Sequence, residues 1–460
     1  MSKFDSSDVP ISFVNELDST VKSQLDLQLR EFSMRHASRH CPVALVTSGG
    51  TAADLEVNSV RVLDNFSTGL RGAISVEEFL RRGYAVIHLT RTGSASPYAR
   101  VLGQAIGLSQ ANHGLSLASI GKLFAGDLEE EDEDQLVQHV LDDEQQNRSA
   151  QDPWMTDAHA QQQQHAGGQR PKSRSKNSDS IVLHRRIINS SRLQTALQER
   201  SKVLQEGRLL TVTFKSVEEY LAKLQLCAES LRDCQSLALL YLAAAVSDFY
   251  VPKAHRSQHK IQSKDFQGDD GILLKLYPVP KVLGLLRNEW APDAFMCSFK
   301  LETDKSILRE KAERAVKKYG CHLVIGNLLQ TRHSQVWVLG PPTQQDQTDD
   351  NGPSADLASI HDWPLHGITK PRSSEPDALE SMLIDHVVQT HFEYISVNYD
   401  KSGAEAMVRA HDELRQKRQQ YEREIFWKSM QQTALEWAGV VLGGVLSYVI
   451  SSALRRRMNG

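Results

Sequence analysis

The sequence predicts an α/β protein: an open, mostly parallel sheet with helices on both faces, carrying a disordered insertion and a helical C-terminal tail. Three observations predict it. Short apolar runs alternate with segments of helical periodicity. The first run, Val43-Ala44-Leu45-Val46, has no polar alternation, as a strand covered on both faces requires. Glycine-rich turns stand at the ends of the runs, where the chain leaves a strand and a helix begins.

The elements follow in order. Residues 1–40 read as a variable, partly helical segment, without the roughly 7–15-residue apolar core of a secretory signal. The strand from Val43 feeds Ser48-Gly49-Gly50-Thr51. A second turn, Asn65-Phe66-Ser67-Thr68-Gly69, opens a helix carried by Ile74, Val76, Phe79 and Leu80 and stopped by Gly83. Residues 84–89 form a second strand, 209–214 a third, 217–231 a helix and 237–246 a further apolar run. The alternation continues through 295–299, a helix near 307–319 and a strand at 323–325, and closes with 335–339 and a helix around 379–388. One domain, 41–400, holds all of this, interrupted by the insertion at 122–180 and a polar loop at 341–371. The insertion is an acidic block, a glutamine run and a basic block, too poor in apolar residues to offset its ordering entropy.

Composition is that of an ordinary soluble protein, with 40% hydrophobic and 24% charged residues, and a net charge of −4 gives no reason to expect nucleic acid. Five cysteines without metal or C-x-x-C spacing fit a reducing compartment, and Cys297 and Cys321 read as small core residues. No residue is nominated as a metal ligand.

The two glycine turns point to an anion. Gly49, Gly69 and Gly72 allow backbone amides close to a ligand, and Ser67 and Thr68 stand at a helix N-terminus that favours phosphate. This is neither a Walker loop nor G-x-G-x-x-G, and Thr90-Arg91 stand where a dehydrogenase places its ribose-binding acid, which tells against NAD and less against NADP. The plainer alternative, that Gly69 and Gly72 only permit close helix packing, stays open. Strand ends at Ser48–Thr51, Ala243 to Phe249, Phe299 to Thr303 and Gly326-Asn327 all supply small or polar groups that would line one crevice.

Taken together these motifs resemble the eukaryotic phosphopantothenate–cysteine ligases, the phosphopantothenoylcysteine synthetases, from Pro42 to Arg100 and from near Ile181 to about Tyr394. The resemblance implies a Rossmann-like fold and a ligase of coenzyme A synthesis. Such an enzyme joins 4'-phosphopantothenate to L-cysteine through an acyl-nucleotidylate, with ATP or CTP and magnesium. It implies Gly49, Ser67, Gly69, Gly72, Phe299 and Asn327 as the nucleotide site, and Asn65, Ala244, Ala245 and Asp248 as phosphopantothenate contacts. Arg61 is the residue such enzymes supply across a homodimer interface, Asn65 is the first choice for a catalytic role, and Lys260 is the second catalytic candidate, neutralising phosphate charge from a polar segment at 255–270. Lys281 is a weaker candidate of the same kind.

The tail falls outside the resemblance. After a charged helix at 401–433 comes a candidate membrane anchor at 434–457, whose centre, Trp437 to Leu454, is 18 uncharged residues followed by three arginines. It would leave a cytoplasmic catalytic domain tethered to an intracellular membrane; a hydrophobic dimerisation helix or a buried core helix is the alternative. Two other readings of the whole chain remain. One is an NADP-dependent reductase with Arg91 on the 2'-phosphate, the other an inactive paralogue serving as a binding module.

Overall fold

A strand whose six residues are all buried, β1 (Val43–Ser48), lies inside an eight-stranded sheet, as its unbroken apolar run requires. The computed structural model describes residues 17–101, 190–262, 273–341, 363–371 and 377–399, with isolated positions at 360 and between 416 and 431. The insertion at 122–180, the part of the lysine segment from 263 to 270 and the anchor at 434–457 lie outside the described residues, as does nearly all of the charged stretch 401–433. Among the described residues no helix is long and apolar enough to cross a membrane.

Helix α1 (Ser19–Ala37) precedes β1 and is capped by Asp18, which accepts from the amides of Thr20 and Val21. After β1 come a hairpin of β2 (Ala52–Asp54) and β3 (Val62–Asp64), helix α2 (Leu70–Arg81), β4 (Ala85–Arg91), α3 (Ser191–Gln205) and β5 (Leu209–Phe214). The chain continues through α4 (Val217–Ser230), β6 (Ala238–Leu242) and a short pair, β7 (Phe249–Tyr250) with β8 (Tyr277–Pro278). It ends in β9 (Phe295–Glu302), α5 (Lys305–Tyr319), β10 (Leu323–Leu328), β11 (Gln335–Leu339), β12 (Leu365–Thr369) and α6 (Ala378–Asn398). Two compact units result, residues 1–97 with 202–460, and residues 98–201; of the second, 98–101 and the start of α3 are described.

The sheet order is β12-β11-β10-β9-β6-β1-β4-β5, and the six strands from β10 to β5 are parallel. From β1 the chain moves one way to β4 and β5, then returns to lay β6 on the opposite side of β1 and moves outward through β9 and β10. The order therefore reverses between β1 and β6, the dinucleotide-fold arrangement the alternation predicts. Two features differ from expectation. Residues 365–369, inside the stretch read as a polar loop, form β12, which pairs antiparallel with β11 at the sheet edge. The hairpin β2–β3, three residues a side and exposed along β3, is too short to leave a periodic signal.

Helix α2 is buried from Gly72 to Leu80 and packs on β1 and β4, with the Ser75 hydroxyl donating to the Tyr241 phenol at 3.2 Å. Behind it the His391 ring donates Nε2–H to the Ser236 carbonyl at 2.9 Å and accepts from the Tyr84 hydroxyl at Nδ1, 2.8 Å away. Burial holds this imidazole neutral, pushed down to about 3. The cysteines are free; Cys227, Cys234, Cys297 and Cys321 are buried, and burial pushes the first two up to about 12, which makes them core residues rather than nucleophiles.

Candidate active site at the strand reversal

At the carboxyl ends of β1 and β6 two loops are laced together. The Thr51 amide donates to the Ala245 carbonyl at 3.1 Å and the Ala245 amide to the Gly49 carbonyl at 2.9 Å. The Thr47 hydroxyl accepts from the Ala244 amide at 3.1 Å, and Thr51 Oγ1 accepts from the Ser247 amide at 2.8 Å. Both threonines are fully buried, so these bonds fix Ala243 to Ser247 as a rigid rim instead of a free loop.

The second glycine turn docks on this rim. Gly69 caps α2 with φ +73° and Gly49 has φ +88°, backbone that favours glycine. A Cβ at Gly72 would stand 2.5 Å from Ser48 Cβ, so this glycine lets the first turn of α2 lie on the end of β1. Packing is thus part of its role, as the plainer alternative held. The expected row of unpaired amides is also partly met within the chain. Ser67 Oγ accepts from the Gly69 amide at 3.3 Å and Thr68 Oγ1 from the Leu70 amide at 3.4 Å. Asn65 sits where hairpin and rim meet: its amide donates to the Thr51 carbonyl at 3.1 Å and its Nδ2 to the Val246 carbonyl at 3.0 Å. The structure thus brings Gly49, Asn65, Ser67, Gly69, Gly72, Ala244 and Ala245 to one place.

The other nominated residues surround it. Asp248 follows Ser247, and its exposed carboxylate is paired with Lys281 at 2.7 Å. Phe299 packs edge-on against Tyr241, ring centroids 5.0 Å apart. Asn327, near the end of β10, is tied to α2: its Oδ1 accepts from the Arg71 guanidinium, which also reaches the Arg332 carbonyl and, at 3.3 Å, the buried Glu380 of α6. Burial raises the Glu380 carboxyl and Arg71 opposes the rise. Arg61 and Lys260 lie farther out, on the hairpin and on the strap 253–262 beside it. Arg61 is bound to Glu56 at 2.8 Å and to the Ile261 carbonyl at 3.1 Å. Arg91, the residue the reductase reading needs, is paired with Asp64 at 2.5 Å.

The profile of the DNA/pantothenate metabolism flavoprotein C-terminal domain matches residues 208–342. The chain is 34% identical over 372 residues to "Phosphopantothenate--cysteine ligase 2" of Oryza sativa subsp. japonica, covering 80% of this chain and 87% of that protein. The chain belongs to the phosphopantothenate–cysteine ligase family. The Homo sapiens member is 34% identical over 311 residues, 68% of this chain and 80% of its own, and the CAB2 ligase of Saccharomyces cerevisiae is 33% identical over 349 residues. A solved Cab2 mutant in complex with phosphopantothenate-cysteine superposes with a TM-score of 0.59 at 29% identity, covering 83% of this chain and 97% of that one. Membership of the ligase family removes the reductase reading.

Sequence reasoning missed Gly50, Arg71 and Glu56 as parts of the site, along with the linked pair Thr51 and Ser247. Gly50, Thr51 and Ser247 stand inside motifs the sequence marks out, and only their partners were invisible. Arg71 and Glu56 carried no signal, because their partners lie 309 and 205 positions away at the far ends of their longest links, to Glu380 and Ile261.

Proposed function

We propose that the chain joins the carboxylate of 4'-phosphopantothenate to the amine of L-cysteine in coenzyme A biosynthesis. The observation that carries this is the meeting of the glycine turn, Asn65 and the Ala244-Ala245 rim at the strand reversal, in a chain related over most of its length to proteins bearing that ligase name. The solved relative that holds phosphopantothenate-cysteine supports the substrate assignment.

A carboxylate is a poor electrophile, so the reaction is written in two displacements. A carboxylate oxygen attacks the α-phosphorus of ATP or CTP and pyrophosphate leaves. The cysteine nitrogen then attacks the acyl carbon of the nucleotidylate, the nucleoside monophosphate leaves, and the nitrogen gives up a proton. Gly49, Ser67, Gly69 and Gly72 take the phosphates, Phe299 packs on the base and Asn327 bonds its edge. Because Arg71 occupies the Asn327 carbonyl, the Asn327 NH2 group is the part left to donate to the base edge. Ala244, Ala245 and Asp248 hold phosphopantothenate. Asn65, fixed by both its amides, donates to the oxygen that becomes negative as cysteine attacks. Lys260, and Arg61 acting across a homodimer interface, neutralise phosphate charge. Backbone amides and hydroxyls at the glycine turn suit an anion rather than a metal, so magnesium is assigned to the nucleotide phosphates.

The deciding experiment is pyrophosphate release by the purified full chain with 4'-phosphopantothenate, magnesium and ATP or CTP, with and without cysteine, beside Asn65→Ala. Cysteine-dependent turnover with one nucleotide, lost in the variant, is expected; none with either nucleotide would leave the binding-module reading. Membrane attachment through 437–454 rests on sequence alone, and unchanged membrane recovery after deleting 434–460 would end it.

A further inference from the structure

The hairpin carries a buried carboxylate to which the reaction above gives no task. Glu56 has no solvent exposure. Its Oε2 accepts from the amides of Val60 at 3.1 Å and Arg61 at 3.0 Å, and its Oε1 from the Arg61 guanidinium at 2.8 Å and the Ile261 amide at 3.4 Å. Arg61 Nη1 donates in turn to the Ile261 carbonyl at 3.1 Å. Ile261 is therefore gripped at both its backbone N–H and its C=O, one residue after Lys260.

The backbone repeats the grip. The Val57 amide donates to Ser257 at 2.9 Å and Asn58 to Gln258 at 3.3 Å, and Arg256 is paired with Asp54 of β2 at 3.6 Å. The polar segment around Lys260 is, over its described part, a strap clasped to the hairpin. Desolvation pushes the Glu56 carboxyl up, but the amides and the guanidinium outweigh it and hold it down at about 2, so it stays a carboxylate at any working pH. The Arg61 side chain keeps 43% of its surface in solvent, so a guanidinium fixed at one nitrogen still presents an edge to a phosphate.

We propose that Glu56 is a positioning residue: its carboxylate sets the Arg61 guanidinium and the Lys260 strap in one fixed geometry, so that both cations meet the phosphorylated substrate already placed. This rests on the ligase reading, and the test separates the two. Steady-state pyrophosphate release is measured for the full chain, for Glu56→Gln, for Arg61→Ala and for the double variant, varying phosphopantothenate and nucleotide in turn. Glu56→Gln is expected to raise the phosphopantothenate KM about tenfold, the loss of one charge-assisted hydrogen bond, with the nucleotide KM unchanged. The double variant should fall short of the product of the two single effects, because most of what Glu56 does passes through Arg61 and only its hold on the Ile261 amide is independent of it. An unchanged phosphopantothenate KM, equal shifts in both KM values, or effects that multiply in the double variant would overturn the proposal.

Hydrogen exchange of the amides at 257–261 gives a readout that needs no activity. Exchange should quicken in Glu56→Gln and in Arg61→Ala, each of which removes one side of the grip. If Glu56→Gln does not fold, Arg61→Ala and Glu56→Asp carry the test, and unaltered exchange in both sinks the clasp. A wild-type chain with no turnover would refute the ligase reading and the substrate half of this proposal, while exchange still decides the clasp.

Discussion

Gly50→Ala should disable the enzyme although it replaces none of the nominated side chains. A Cβ at Gly50 would lie 1.7 Å from the Asn65 carbonyl oxygen and 2.9 Å from its carbon, and the obstacle is backbone that no rotamer change can clear. Restoring ordinary contact needs a displacement of about 1.5 Å, and overpacking of this kind costs about 1–3 kcal/mol. The rim cannot yield cheaply, because Gly50 lies between Gly49 and Thr51, both bonded to Ala245, and pairs with Ala245 itself. The hairpin side must move, and the Asn65–Thr51 and Asn65–Val246 hydrogen bonds go with it. A misplacement of about 1 Å at a reacting centre costs on the order of 100-fold in rate. Pyrophosphate release should therefore fall about 100-fold in kcat/KM, and the melting temperature of a domain this size by a few degrees. A Gly50→Ala protein with wild-type kcat/KM would show that Asn65 is not held where the reaction occurs.

Three other expectations follow from the same geometry. Arg71→Ala frees the Asn327 amide and leaves buried Glu380 without its cation; the nucleotide KM should rise about tenfold and stability fall by about 2 kcal/mol, discounted because Arg71 keeps 19% of its surface exposed. Thr51→Val strands the buried Ser247 amide, a loss of about 1–3 kcal/mol in urea unfolding, and a smaller change would mean the rim relaxes. Burial lowers His322 and His391 to about 3 and His88 to about 4, so the unfolded chain binds protons first and stability is lost as pH falls through 6.5 toward those values. Between pH 7.5 and 5.5 each contributes a loss of about 1.4 kcal/mol, about 4 together. His88→Leu should remove about a third of that slope and raise stability at pH 7.5, because both its ring nitrogens are buried without a partner among the described residues.

The sheet was legible because strands buried on both faces must be apolar throughout. Val43 to Val46 and Leu323 to Ile325 could hardly be anything else, the edge strand Leu209 to Phe214 shows the alternation of a half-covered strand, and the glycine turns marked the ends where a ligand would sit. What stayed hidden was set by partners distant in the chain. The strand at 365–369 is short and only half buried, and it is a strand because β11 offers it an edge; propensity alone reads the region as loop. Asn65 was legible as a turn residue in a motif, but its tie to Val246 was not, since nothing local requires it.

The same contrast explains how the site is built. The strand reversal opens a gap between the loops after β1 and β6, and an unfilled gap would leave the Thr47 and Thr51 hydroxyls and the rim amides to water. Here the rim amides of Ala244, Ala245 and Ser247 are already spent on Thr47, Gly49 and Thr51. That leaves Ala244 and Ala245 to meet substrate as apolar contacts, and the polar groups that remain for it are the Asn65 side chain, the exposed Asp248 carboxylate, the glycine turn, and the cations on hairpin and strap. The hairpin grows directly from Thr51 and carries both Asn65 and Arg61, so one buried carboxylate at Glu56 governs the outer charge while Thr51 governs the inner amide. Changes at Glu56 should therefore act on phosphopantothenate binding and changes at Thr51 on kcat, and swapping those two signatures would contradict the assignment of Asn65 to the chemistry and Arg61 to the phosphate.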